Sequence, residues 1–148
     1  MRMLMVGVLL GLVLGTGVTT FAQHKAISTA DAPKAIGPYS QAIQAGNMLF
    51  LAGQIAIDPK TQQFKADASI EDQTRQTLEN LKAVLAANGM TMTNVVSTSV
   101  FMKDLSEFAK MNTVYATYFT EVPPARATVQ VAALPRDAKI EISLIAVK

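Results

Sequence analysis

From Asn94 to Met102 the chain alternates, with Val96, Thr98, Val100 and Met102 set against Val95, Ser97, Ser99 and Phe101. This period of two predicts a strand. The same logic predicts paired strands in Tyr39–Gly46 and Asn47–Asp58, joined through Ala45-Gly46-Asn47, a short glycine-containing hairpin connection. Arg126–Leu134 and Ile140–Val147 read as two more strands, linked by Pro135-Arg136-Asp137-Ala138. Between them the period changes. Ser69-Ile70-Glu71-Asp72 has the form of a helix cap, and Leu78, Leu81, Val84 and Leu85 recur at helical spacing until Asn88-Gly89 stops them. Asp104-Leu105-Ser106-Glu107 opens a second helix whose apolar stripe is Leu105, Phe108, Met111, Tyr115, Tyr118 and Phe119, ending before Val122-Pro123-Pro124.

The predicted order is β-β-α-β-α-β-β, an α+β domain over residues 35–148. Two helices cover one face of a sheet. Val95, Phe101, Thr128, Ala132 and Ile145 are then expected on the other face, too apolar a set for water, so self-association is expected, with ligand clefts between subunits. The stripe of the second helix reads as a buried face in preference to a cofactor box.

Ahead of this domain, residues 23–34 are small and polar and read as a flexible lead-in, with His24 in a solvated arm. Residues 1–22 carry one basic residue, Arg2, an uncharged apolar run from Met3 to Val18, and small polar residues ending at Ala22. That layout predicts a cleaved signal peptide and an exported, periplasmic or secreted domain. An uncleaved membrane anchor is the competing expectation, because Gly7, Gly11 and Gly15 repeat the spacing that lets membrane helices approach closely.

Composition narrows the chemistry. The chain has no Cys and one His, which leaves no disulfide, thiolate metal site, cysteine nucleophile or Ser-His-Asp triad. Its 13 basic and 11 acidic residues are dispersed, without the basic run that nucleic acid or an anionic membrane would call for.

Two charged residues stand out near the end. Arg126 follows Pro123-Pro124-Ala125, which fixes the backbone entering its strand, and Glu141 lies between Ile140 and Ile142. They could be a cross-strand tie worth less than about 1 kcal/mol. Alternatively, a carboxylate in so apolar a run has a partner or a job, since burial without one is costly.

Pro124-Ala125-Arg126-Ala127-x-Val129-x-x-Ala132-x-Leu134, five residues, then Ile140-Glu141-Ile142 resembles the C-terminal signature of the RidA/YjgF family of imine/enamine deaminases. APKAIGPYSQAIQAGNMLFLAGQI, from Ala32 to Ile55, resembles the family's N-terminal block, and TLENLKAVLAANG and VFMKDLSEFAKMN resemble its two helices. The resemblance implies a chorismate-mutase-like fold, a homotrimer with three clefts between subunits, and hydrolysis of reactive 2-imino acids to 2-keto acids and ammonia. No cofactor or metal is implied. Arg126 would grip the substrate carboxylate, Glu141 would orient and activate water, and Tyr39 would donate from the cleft mouth. Gly53 and Asn112 match pocket positions, as do Ala52, where many members carry Ser, and Thr128, where many carry Cys.

Three functions follow as expectations: an exported imine deaminase, a trimeric module that binds or protects without turnover, and RNA cleavage. The last has neither a basic patch nor a general-base histidine behind it.

Overall fold

The chain is described by a computed structural model over residues 24–148, and the expected signal segment 1–22 lies outside the described residues. Strands β1 (Lys25–Ile27), β2 (Ala42–Ala45) and β3 (Met48–Gln54) lead into helix α1 (Ile70–Ala86). Strand β4 (Val95–Met102), helix α2 (Phe108–Tyr115), β5 (Ala125–Gln130) and β6 (Ile140–Val147) follow. The strands form one mixed sheet in the order β1-β2-β3-β6-β4-β5, with only β4 and β5 parallel.

The helix-covered face follows from alternation. Ile140, Ile142, Leu144 and Ala146 of β6 are buried, and so are their partners Met102, Val100 and Thr98 on β4. Leu78, Leu81, Val84 and Leu85 of α1 close over them in one cluster with Met111, Tyr115 and Phe119. Burying each Leu or Ile of this kind contributes about 1.5–3 kcal/mol. The expected cap of α1 is formed, with Ser69 Oγ accepting from the Asp72 amide at 3.1 Å. Gly46, at φ 60°, takes the first place of the two-residue turn between β2 and β3, where a side chain would be strained.

The structure departs from expectation in four places. The lead-in is not unanchored: Lys25–Ile27 pairs antiparallel with β2, and Ile27 and Ala32 are buried. Gln41 holds it there, accepting from the Thr29 amide at 2.7 Å and donating to the Pro33 carbonyl at 2.7 Å. The third strand stops at Gln54 and the fifth at Gln130, short of Asp58 and Leu134. The second helix is α-helical only over Phe108–Tyr115, after a 3-10 turn at Leu105–Glu107. Leu105 and Phe108, expected in its buried stripe, are exposed.

The fourth departure is a bulge. Val95 pairs with Ala146 but Ser97 pairs with Ile145, so Val96 is an extra residue and the alternation flips at that point. Val95 therefore enters the core at 5% exposure while Val96 is 47% exposed. Thr128 pairs with Val100 and so lies on the helix side of the sheet, not on the open face. Ala132 lies beyond the end of β5. Phe101 and Ile145 lie on the open face as expected, with Phe50, Ser97, Ser99 and Ser143 beside them. The face is therefore mixed, apolar at Phe50, Phe101 and Ile145 and polar at the serines, with Phe50 40% exposed.

Candidate functional site

The expected site residues divide into two groups, and the sheet separates them. Thr98 pairs with Arg126 across the parallel β4–β5 ladder, so Arg126 leaves the sheet on the helix side. Phe101 pairs with Glu141 across the antiparallel β4–β6 ladder, so Glu141 leaves on the open side. β4 lies between β5 and β6. A cross-strand tie between Arg126 and Glu141 is thereby ruled out within one chain, and neither residue joins an ion pair among the described residues.

The Glu141 side holds a cavity of about 360 Å³ lined by Tyr39, Ala52, Gly53 and Glu141, with Lys34, Gln41 and Gln54 adding polar groups. Pro33, Ile36, Ile55, Ile57 and Pro135 make its apolar walls. A second bulge shapes it. Leu51 pairs with Leu144 and Gln54 with Ile142, so Ala52 and Gly53 together oppose Ser143. This extra residue turns the Gly53 backbone toward Glu141. A Cβ on Gly53 would stand 2.0 Å from Glu141 Oε1, so the carboxylate occupies the space that any side chain at 53 would fill. Burial raises the pKa of Glu141 above its ordinary value of 4.5, as expected of a carboxylate without a paired cation. Such a group takes a proton more readily than a solvated carboxylate.

Tyr39 stands at the mouth, 47% exposed, with its hydroxyl accepting from the Ile36 amide at 3.3 Å. The walls are fixed from behind by polar groups of α1. Asn80 donates to the carbonyls of Ile55 and Ile57 at 3.2 and 2.9 Å. Gln73 accepts from the Lys139 amide at 2.9 Å and donates to the Lys65 carbonyl at 3.0 Å. These two buried amides bridge the loops on either side of Glu141, where strand pairing has ended.

The Arg126 side holds a separate cavity of about 490 Å³ lined by Arg126, Asn112, Tyr115, Ala116, Phe119, Pro123 and Pro124. The guanidinium lies 4.6 Å from the Tyr115 ring centroid and 5.5 Å from that of Phe108. Asn112 lies in the same cavity as Arg126. Thr128 lines neither cavity, and its buried hydroxyl has no hydrogen-bond partner among the described residues.

A guanidinium and a part-buried carboxylate are thus both present, one on each face. Among the described residues no three of His, Asp and Glu gather closely enough to hold a metal ion, and no helix is long and apolar enough to cross a membrane.

The sequence profile of the family described as Endoribonuclease L-PSP matches residues 29–148. The chain belongs to this family, also called RidA/YjgF. A RutC family protein of Pyrococcus horikoshii is 57% identical over 122 residues, which are 82% of this chain and 96% of that one. The 2-iminobutanoate/2-iminopropanoate deaminase of Escherichia coli K12 is 48% identical over 127 residues, 84% of this chain and 98% of its own. Among solved structures, E. coli TdcF with bound serine superposes with a TM-score of 0.80 at 43% identity, covering 84% of this chain and 98% of that chain.

Sequence reasoning missed Gln41, Gln73, Asn80 and Tyr115. Their spacing carries no signal for the three amides, because each acts on backbone far away in sequence. For Tyr115 the signal was a phenol in an apolar stripe, which calls for a buried hydrogen-bond partner. Gly53→Ala should displace the Glu141 carboxylate from its place on the β3 bulge. We expect a shifted Glu141 side chain in a crystal structure and at least about a 10-fold loss of any Glu141-dependent activity. An unmoved Glu141 with full activity would contradict the close packing.

Proposed function

We propose that this protein hydrolyses 2-imino acids and their enamine tautomers to 2-keto acids and ammonia, in clefts formed where one copy's Arg126 side meets another copy's Glu141 side. The observation that carries the proposal is the half-buried carboxylate of Glu141 laid against Gly53, in a chain 48% identical to a 2-iminobutanoate/2-iminopropanoate deaminase. The assembly is a ring of three. The apolar residues of the open face and the placement of the two half-sites on opposite faces support it.

In the proposed reaction Arg126 grips the substrate carboxylate with two N–H donors, a planar fork that Lys lacks. Asn112 adds a polar contact, the Gly53 backbone faces the reacting carbon, and Tyr39 donates its phenol proton at the cleft mouth. An enamine takes a proton from solvent at C3 to become the iminium, which the imine also reaches by taking a proton from solvent at nitrogen. Water then bonds to C2 while its proton passes to Glu141 and the C=N electron pair moves onto nitrogen, giving a neutral tetrahedral amino alcohol. Glu141 returns its proton to nitrogen, the C–N bond breaks, ammonia leaves, and the remaining hydroxyl loses its proton to become the keto group. The raised pKa of Glu141 suits an acceptor that must also give the proton back. Ala52 places a methyl in the Glu141 half-site and tunes substrate preference.

A binding or protecting module is the second reading, favoured by the serine bound to the structural neighbour TdcF. RNA cleavage has the family's description in its favour. The charge pattern speaks against it, with 13 basic and 11 acidic residues and no basic run. We also propose that the domain is exported after cleavage at Ala22. Mass spectrometry of protein from the cell envelope should find a chain starting at Gln23, and an intact chain in the membrane fraction would reverse this.

To test the activity, an imino acid is generated in situ by an amino-acid oxidase and trapped with semicarbazide. The protein should suppress trapping, and Arg126→Ala and Glu141→Gln should each lose about 100-fold in that effect. Only deprotonated Glu141 accepts the water proton, so activity should fall as pH drops through a midpoint above 4.5. That acid limb should vanish in Glu141→Gln. Keto-acid binding without turnover by the unaltered protein would favour the binding module.

A further inference from the structure

An arginine that recognises a carboxylate must hold its fork still. Arg126 is exposed, on an edge strand, and its guanidinium forms no ion pair among the described residues. What restrains it is aromatic. The Tyr115 ring centroid lies 4.6 Å beneath the guanidinium carbon, closer than that of Phe108 at 5.5 Å. A cation resting on a ring face is attracted by the ring itself, which leaves N–H donors of the guanidinium available to a ligand.

The ring itself is fixed from two directions. The Tyr115 hydroxyl is hydrogen-bonded to the Thr98 hydroxyl at 2.7 Å, and both side chains are buried. Thr98 is the β4 residue paired directly with Arg126, so the anchor of the ring and the root of the arginine share one rung of the sheet. Phe119 packs against the ring with centroids 4.6 Å apart. Burial raises the Tyr115 pKa despite the opposing effects of Thr98 and the Arg126 charge, so the phenol keeps its proton at neutral pH and the hydroxyl pair is intact there.

We propose that Tyr115 is a positioning residue for carboxylate recognition, its ring locked by Thr98 as the platform that presents the Arg126 fork to the ligand. This rests on the reading of Arg126 as the carboxylate grip. The device explains why a tyrosine occupies a stripe that phenylalanine would fill equally well for packing. It also explains a buried threonine in the middle of β4: its hydroxyl has the phenol as partner.

The test is calorimetric titration of the full-length protein with 2-oxobutanoate, a 2-keto acid of the product class. Tyr115→Met fills most of the volume but removes the ring face, and should weaken binding about 10-fold. Tyr115→Phe keeps the ring and should bind within about threefold of the unaltered protein. Thr98→Val removes the anchor with little change of shape and should weaken binding about threefold. In Tyr115→Met the acid limb of the pH–activity profile should stay where it is, since that limb belongs to Glu141, while the KM rises. Arg126→Ala should abolish measurable binding. If Arg126→Ala binds normally, the grip reading fails and the platform with it. If Arg126→Ala loses binding while Tyr115→Met retains it, the grip stands and the platform is overturned. A Tyr115→Phe as weak as Tyr115→Met also overturns the platform. Should Tyr115→Met not fold, normal binding by Thr98→Val overturns it.

Discussion

Paired residues on neighbouring strands leave a sheet on the same face, and β4 carries that rule in two directions at once. Through Thr98 it assigns Arg126 to the helix side, and through Phe101 it assigns Glu141 to the open side. Within one chain the two groups with the clearest chemistry are thereby held apart, on opposite faces of the sheet. Whatever acts on one ligand with both must use two copies of the chain. The apolar residues of the open face, Phe50, Phe101 and Ile145, supply a reason for copies to associate.

Each half-site depends on a local break in regular pairing. The Ala52–Gly53 bulge gives Glu141 a backbone to lie against, and because pairing ends just beyond it, buried amides from α1 must satisfy the freed carbonyls. On the other side, β5 is an edge strand entered from Pro123-Pro124, and its arginine is steadied by α2 in place of a neighbouring strand. The cost of these arrangements falls on Glu141, whose desolvation is uncompensated within one chain. A stable fold does not require that carboxylate.

Most of the architecture was legible because it rests on period and punctuation. The Ser69 cap, the Leu78–Leu85 stripe and the β6 alternation all report local physics, and the structure reproduces them. Features set by tertiary pairing were not legible. Nothing local distinguishes Val95 from Val96, yet one inserted residue sends the first inward and the second outward. β1 is three residues long and exists because Gln41 clamps the segment after it. For the site, the residue types at Arg126, Glu141 and Gly53 could be singled out in advance, but their distribution over two faces depends on which strands are neighbours. Strand order is the least local property of a sheet.

The most direct measurement of the central claim is subunit complementation. Arg126→Ala and Glu141→Gln chains, each inactive alone, are co-refolded in equal amounts and assayed for suppression of imine trapping. With sites shared between copies, half of the arginine sides and half of the glutamate sides are intact, and about a quarter of the unaltered activity should return. If the mixture stays as inactive as its components while mixed oligomers are present, Arg126 and Glu141 do not act across an interface, and the account is wrong.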